Sequence, residues 1–172
     1  MRFMTEPDAY AILRRKLLWA FPTGLYLLGS HLNGQVHVMT TSWVMQVATT
    51  PKMIACSVEQ NSKSLEFISG TGTFSISILP KSQRSTIRKY VKRDQRQEMV
   101  NGNLTIEGNS FLLAESGNPY LEAGVGFLEA QLVTRTDFES HAVLFGEISD
   151  CLALTDIKDV LDMHDTLMNY GG

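Results

Sequence analysis

The residues whose types and spacing could do chemistry fall in two short segments rich in hydroxyl groups. Thr40, Thr41 and Ser42 precede Trp43 in one apolar segment, and Asn61-Ser62-Lys63-Ser64 opens a predicted helix. Free backbone N–H groups at a helix N-terminus attract anions, and hydroxyls and a lysine beside them add donors without a glycine-rich loop. The pattern therefore predicts a site for a phosphate group.

Common catalytic and metal-binding motifs are absent from the sequence, which contains no GxGxxG, Walker, GxSxG or HExxH pattern. Cys56 and Cys151 lack the spacing of a zinc finger, an iron–sulfur site or a disulfide scaffold. We expect no metal site. Because Cys56 lies in an apolar segment, it is interpreted as a small buried lining residue and not as a reactive thiol.

Length and composition indicate one globular domain over residues 1–172. The chain is 44% hydrophobic and 19% charged, with a net charge of −3, and a chain of this length buries enough surface to fold without a metal or a disulfide. Charged residues interrupt segment 1–21, which predicts neither a signal peptide nor a membrane span. We expect a cytoplasmic protein with no nucleic-acid or membrane partner.

The elements that must position these residues are mostly strands. Asn33-Gly34 predicts a hairpin, and Phe74, Ile76 and Ile78 alternate with serines as in a half-buried strand. Three helices are predicted: one capped at Thr5 and ending at Trp19, one over 61–70 with Gly70 as its left-handed end, and one over 81–99. The predicted strands are 25–28, 36–47, 53–58, 74–78, 104–106, 111–113, 125–134 and 141–154, and the tail 156–172 is either a terminal helix or an arm onto a partner.

Strands outnumber helices and no βαβ alternation is visible, which favours a mainly β fold, an antiparallel barrel with a few peripheral helices. The serine face of strand 74–78 faces either solvent or a polar cavity.

Several segments together resemble a known family. FPTGLYLLGS, LNGQVHVMTTSW, TTPKMIACSVEQNSKSLEFI, SGTGTFSISIL and ESHAVLFGEI occur in the order and at the spacing of the flavin reductase-like FMN-binding split barrels. The resemblance covers about half of the chain. It implies a six-stranded antiparallel split barrel with Greek-key topology, a homodimer, and one FMN for each protomer at or near the subunit interface.

The resemblance also implies roles for individual residues. The segment Thr40–Trp43 would border the isoalloxazine ring, with Gln46 as a further ring contact, and His141 would lie on the nicotinamide or substrate side. The ribityl chain and the phosphate would be held by residues of the next strand and of the helix start: Ala55, Cys56, Ser57, Asn61, Ser62, Lys63 and Ser64.

The function that the resemblance implies is hydride transfer from NADH or NADPH to a bound FMN, or FAD, and onward to free flavin, an iron centre or a partner monooxygenase. The alternative is a flavin-binding electron carrier without its own NAD(P)H reductase activity, serving a rubredoxin-like, diiron or monooxygenase partner. A third hypothesis is a related barrel that uses pyridoxine phosphate, haem or a deazaflavin, or that acts only through its surface.

The segment 81–96 is locally basic, since it holds seven of the 15 lysines and arginines of an acidic chain. It is interpreted as a solvated face, or else as a flap that attracts the phosphates of NAD(P)H or of the flavin. The remaining histidines, His31, His37 and His164, are interpreted as structural or solvated.

Overall fold

Two antiparallel sheets form the body of the computed structural model, which describes residues 7–166. Helix α1 spans Pro7–Trp19, as the sequence predicts, and its Thr5 cap lies outside the described residues. No helix in the described part of the chain is long and apolar enough to cross a membrane. In chain order, the remaining elements are β1 Tyr26–Leu32, β2 Gln35–Thr41, β3 Val44–Thr49, β4 Lys52–Glu59, α2 Lys63–Thr71, β5 Thr73–Ile78, β6 Gln97–Val100, β7 Asn103–Ile106, β8 Asn109–Leu113, β9 Pro119–Leu121, β10 Gly126–Asp137 and β11 His141–Ala153.

The larger sheet curls so that its two edges approach each other. Its strand order is β2-β1-β5-β10-β11-β4-β3, so two strands that are consecutive in the chain form opposite edges. Only Ser42 and Trp43 separate them, and three Cα steps span at most roughly 11 Å. The Trp43 carbonyl accepts a 3.0 Å hydrogen bond from the Ser57 N–H of β4. The link therefore crosses directly from one edge of the sheet to the other.

This crossing changes the predicted strand count. The single strand predicted over 36–47 is interrupted at Ser42 and Trp43, because its first half pairs with β1 and its second half pairs with β4. The mainly antiparallel β architecture is confirmed. The larger sheet has seven strands where six were predicted, and a second sheet of four strands, in the order β6-β7-β8-β9, lies beside it.

Helix α2 has well-defined caps at both ends. The Ser62 hydroxyl accepts a 3.2 Å hydrogen bond from the Leu65 N–H, which makes Ser62 the N-cap of the helix. Gly72, with φ of 73°, is the left-handed residue that ends the helix. The assignment of that role to Gly70 is wrong, because Gly70 lies inside the helix. A Cβ at Gly70 would come within 2.7 Å of the Leu32 side chain, so close packing on β1 accounts for this glycine.

The prediction of a helix over 81–99 is wrong. Short 3₁₀ turns at Lys81–Gln83 and Ile87–Tyr90 are followed by irregular backbone and then by β6. Basic side chains three and four residues apart would repel along a continuous helix. The segment instead follows the free edge of β2: the Gln95 amide bonds both backbone groups of Val38, and Gln97 Nε2 donates to the Val36 carbonyl at 2.8 Å.

The two sheets are held together at a position where β9 crosses β1. Ser75 Oγ donates to the Pro119 carbonyl at 2.7 Å, and a Cβ at Gly29 would overlap that same oxygen. Two clusters of buried apolar side chains fill the interior on either side of β1. The described part of the tail contains one short 3₁₀ turn, Met163–Asp165, and no longer helix, and the alternative of an arm onto a partner stays a prediction. This part of the tail pairs with the body through the bridges Gly24↔Asp162 and Pro80↔Val160, and residues 167–172 lie outside the described residues.

Candidate functional site

A cavity of about 380 Å³ opens between β2, the start of α2 and the segment that follows the second 3₁₀ turn. This volume lies within the range of roughly 300–1,000 Å³ that is typical of small-molecule sites. Its lining combines apolar, hydroxyl and charged side chains: Leu25, His37, Met39, Thr40, Thr41, Ser42, Ser57, Glu59, Asn61, Ser62, Lys63, Tyr90, Val91, Lys92, Arg93 and Met163.

The structure brings seven of the twelve predicted cofactor-binding residues to this one cavity. They come from three separate elements, because the curl of the sheet places the end of β2 against β4 and against the start of α2. The seven are Thr40, Thr41, Ser42, Ser57, Asn61, Ser62 and Lys63.

The start of α2 supplies the donors of the cavity. The first N–H groups of a helix have no acceptor within the helix, and here Ser62 satisfies the N–H of Leu65. The N–H groups of Lys63 and Ser64 precede that of Leu65 in the chain and lie in the first turn of α2, which borders the cavity. Lys63 Nζ lies 5.2 Å from the centre of the Phe67 ring, a cation–π contact that orders this ammonium group.

The hydroxyl groups of β2 also fix the far wall of the cavity. Thr40 Oγ1 donates to the Ile87 carbonyl at 2.5 Å, which ties β2 to the second 3₁₀ turn. Tyr90, on the same turn, is almost fully buried and its hydroxyl donates to the Ile106 carbonyl at 2.9 Å. Burial raises the pKa of Tyr90 to about 12. Hydrogen bonds therefore join this wall to β2 and β7, and the Tyr90 phenol in it is uncharged at neutral pH.

Five predicted cofactor-binding residues are outside the lining. Ala55 and Cys56 are buried in β4, and burial raises the pKa of the Cys56 thiol to about 12, so it is a packed thiol and not a thiolate. Gln46 is exposed on β3 and its Nε2 donates to the Ala48 carbonyl at 3.1 Å. Ser64 is fully buried beneath the cavity floor, where its hydroxyl is 2.9 Å from His37 Nδ1.

Trp43, the fifth residue, and His141, the predicted nicotinamide-side residue, form a pair beside the cavity. Their ring centres are 5.1 Å apart, and Nδ1 of His141 is 2.9 Å from the Ser140 hydroxyl. Trp43 lines a smaller neighbouring cavity of about 30 Å³, which shares Ser42 and Met163 with the main one. The pair is thus adjacent to the candidate site without lining it.

Four of the nine lining residues that the sequence did not assign to the cofactor come from the basic segment 81–96. Lys92 and Arg93 join Lys63 at the cavity, against the single carboxylate of Glu59, so the lining is positive although the chain carries a net charge of −3. The local density of basic residues is the signal that points to them. His37 and Met163 carry no comparable signal. Within residues 7–166, no group of three or more His, Cys, Asp or Glu side chains is arranged to hold a metal ion.

Comparison with known proteins supports the interpretation of this geometry. A family model described as a flavin reductase like domain matches residues 18–171. The chain belongs to the flavin reductase-like domain family. The match includes every element that lines the cavity.

Relatives within and around this family are recognisable at low identity. The chain is 28% identical over 144 residues to a high molecular weight rubredoxin of Moorella thermoacetica, covering 81% of this chain and 59% of the relative. It is 20% identical over 137 residues to a flavin reductase of Pseudomonas putida, and the match covers 79% of this chain and 76% of that reductase. The fold is similar to that of the NADH:FAD oxidoreductase SgcE6 of Streptomyces globisporus, with a TM-score of 0.71 at 20% identity, covering 89% of this chain and 88% of that one.

Proposed function

We propose that the chain binds FMN, or FAD, in the 380 Å³ cavity and acts as an NAD(P)H-dependent flavin reductase. The observation that carries the proposal is the convergence of a positive, hydroxyl-lined cavity with the start of α2, in a chain of the flavin reductase-like family. Apolar side chains, hydroxyl groups and cationic side chains in one lining match the three chemical parts of a flavin nucleotide.

The lining residues divide between those three parts. Ser62, Lys63 and the free N–H groups of the first turn of α2 bind the phosphate, and Ser57 borders the ribityl chain. Thr41, Ser42 and the backbone of the link to β3 face the ring. Cys56 and Ala55 act through packing or backbone groups, and the Ser64 hydroxyl acts through its contact with His37, since none of the three lines the cavity.

When bound, the flavin supplies the hydride-accepting chemistry. The contribution of the chain is to hold the ring against a wall of the cavity and to leave one side open to the nicotinamide. Trp43 and His141 are proposed to border that open side, since their ring pair stands beside the cavity. Lys92 and Arg93 add positive charge that attracts the phosphates of the donor.

The second candidate function is a flavin-binding electron carrier without reductase activity of its own. The similarity to a high molecular weight rubredoxin favours it, because a rubredoxin is an electron-transfer protein and this chain spans 59% of that relative. A rubredoxin-like or diiron protein would then deliver or receive the electrons, while a partner monooxygenase fits either function.

A homodimer is part of the proposal. Apolar side chains are exposed on α1 and on edge strand β3, including Leu13, Leu17 and Met45, and burial of such side chains against a second copy would remove them from water. The six-stranded split barrel implied by the resemblance is also part of the proposal, because counting β2 and β3 as one bent strand reduces the seven strands of the larger sheet to six. A cytoplasmic location stays a prediction from the sequence.

The deciding experiment is the visible spectrum of purified protein that has been loaded with FMN, separated from excess flavin and titrated anaerobically with NADH and then NADPH. Retained absorbance that bleaches with a nucleotide supports the reductase and names its donor. Retained absorbance that bleaches only with reduced rubredoxin supports the carrier. Absence of retained flavin at any concentration of protein, together with no turnover of free flavin, contradicts both.

The phosphate position is tested separately with the variant Lys63→Gln. Its affinity for FMN should fall about tenfold, whereas its affinity for riboflavin, which has the same ring without the phosphate, should stay unchanged. Lys52→Gln, at an exposed end of β4, is the matched control. Equal loss for FMN and riboflavin would place the phosphate elsewhere.

A further inference from the structure

A second cavity, of about 570 Å³, adjoins the main cavity at the start of α2 and has no role in the proposed function. Asn61, Ser62 and Arg93 line both cavities, so the two share a boundary at the N-cap of the helix. Arg135, near the end of β10, lines the second cavity and not the first. We call the second one the arginine cavity, after Arg93 and Arg135.

The lining of the arginine cavity is polar and positive. Apart from the two arginines, it consists of one carboxylate, one apolar side chain and four uncharged polar side chains: Glu66, Leu65, Gln60, Asn61, Ser62 and Ser69. Two cations against one carboxylate give a net positive charge, in a chain whose own net charge is −3. Because guanidinium groups bind phosphate oxygens through paired N–H donors, this lining suits a phosphate group better than an apolar ring.

Hydrogen bonds to two neighbouring elements hold Arg135 in position. Its Nη1 donates to the Ser69 hydroxyl of α2 at 3.0 Å, and its Nε donates to Asp137 Oδ2 at 3.1 Å. The other oxygen of Asp137 accepts a 3.0 Å hydrogen bond from Nε2 of Gln60, in the turn that precedes α2. A guanidinium group has five N–H donors, of which these bonds use two. The rest of the Arg135 guanidinium is left for a ligand, and Asp137 fixes its position relative to that turn.

The shared boundary of the two cavities indicates what the ligand is. In the proposed function the flavin phosphate lies at Ser62 and Lys63, so FMN is contained in the main cavity. FAD continues from that phosphate, through one shared oxygen atom, to a second phosphate, a ribose and an adenine. The second phosphate must therefore lie directly beside the first, and the positive cavity that adjoins Ser62 is the arginine cavity.

We propose that the arginine cavity binds the adenylate half of FAD, with Arg93 and Arg135 on the second phosphate and the uncharged polar side chains on the ribose. The chain then binds FAD more tightly than FMN. This inference rests on the proposed function for the position of the flavin. It gives Arg135 a binding role and makes Asp137 a positioning residue that acts through Arg135.

The test is calorimetric titration of the full chain with FAD and with FMN. The wild type should bind FAD several times more tightly than FMN. Arg135→Gln should lower the affinity for FAD about fivefold, the upper range for an exposed ion pair, and leave that for FMN in place. Arg135→Lys retains the charge and should recover part of the loss. Lys158→Gln is the matched control, since Lys158 forms an exposed ion pair with Asp156 at the same spacing as Arg135 with Asp137.

Glu66→Gln should change the affinity in the opposite direction, which a loss of folding would not do. It removes the single carboxylate among the described lining residues of the arginine cavity, so the affinity for FAD should rise about twofold to threefold while that for FMN changes less. Equal affinities of the wild type for the two flavins, or equal losses for both flavins in Arg135→Gln, would overturn the proposal.

The nicotinamide donor carries the same adenylate group, and a kinetic measurement separates the two sources. With FMN as the flavin, Arg135→Gln should have the same KM for NADH as the wild type. A raised KM for NADH, together with an unchanged affinity for FAD, would assign the arginine cavity to the donor and overturn its assignment to the flavin.

The failure of the proposed function is distinguishable from the failure of this inference. If the wild type binds neither flavin, the proposed function fails, and titration with ADP decides the role of the arginine cavity. ADP carries the two phosphates and the adenosine without the flavin. Binding of ADP that Arg135→Gln weakens supports an adenylate site in this cavity, and absence of ADP binding rejects it.

Discussion

Acidification should destabilise the folded chain through His37 before most carboxylates are protonated. The ordinary pKa of a histidine is near 6.5, and burial, followed by the positive charge of Lys63, lowers that of His37 to about 4. Above pH 6.5 the ring is neutral in both the folded and the unfolded chain, so it adds no pH dependence. Between these two values the unfolded chain binds a proton that the folded chain does not, and stability falls as the pH falls.

The magnitude follows from the two pKa values. A difference of about 2.5 pKa units corresponds to about 3 kcal/mol in full, of which about 2 kcal/mol is already lost at pH 5. Since domains of this size are stable by only about 5–15 kcal/mol, this loss is large. The positive charges of Lys63 and Arg93 lower the pKa of the ring, and Asp94 opposes their effect.

The assay is urea unfolding at pH 7.5 and at pH 5, for the wild type and for His37→Gln. The variant lacks the titrating ring, so its free energy of unfolding should fall by about 2 kcal/mol less than that of the wild type between the two pH values. His164→Gln, which removes an exposed histidine, should behave as the wild type does. If the wild type and His37→Gln lose the same stability, the ring is not held neutral and the reasoning fails.

Three further substitutions test the fold around the site. Gly29→Ala should cost about 3 kcal/mol or more, measured by urea unfolding, because the new Cβ overlaps the Pro119 carbonyl; a cost below about 1 kcal/mol would contradict this close approach. Gln95→Leu removes the bonds to Val38 and should lower the affinity for FMN severalfold by releasing the basic segment, and unchanged binding would show that the segment needs no such anchor. Ser62→Ala should lower the melting temperature through the loss of about 1 kcal/mol of capping, which Ser62→Asp restores; equal melting temperatures for all three proteins would refute the cap.

The parts of the site that lie on regular elements were predictable from local signals. Ser62 and Lys63 follow a strand and open an amphipathic helix, and capping chemistry alone indicates a helix start with free donors at that position. The alternation of Phe74, Ile76 and Ile78 fixes a strand, and Asn33-Gly34 fixes a hairpin, as the structure has them. Each of these signals needs only a few neighbouring residues.

The parts that were missed depend on contacts between distant segments. The helical spacing of basic residues in 81–96 is overridden because the side chains of Gln95 and Gln97 bond the edge of β2, about sixty residues away in the chain. The hydrogen bond and the lowered pKa of His37 depend on Ser64, Lys63 and Arg93, none of which is near it in sequence. No pattern within one segment reports such contacts, so tertiary structure decides them.

The location of the site follows from the way in which the larger sheet turns back on itself. A flat sheet with β2 and β3 at its edges would leave Thr41 and Ser57 on opposite sides of the molecule, whereas the two-residue link at Ser42 and Trp43 brings them to one cavity. Helix α2 follows β4 directly, so the same crossing delivers its N-terminal donors to the hydroxyls of β2. Lengthening the link by inserting two glycines after Ser42 should therefore weaken FMN binding far more than it lowers the melting temperature, since the separate strand ladders would survive while their relative position would not. A loss of stability with unchanged affinity per folded molecule would show that the cavity does not depend on this crossing.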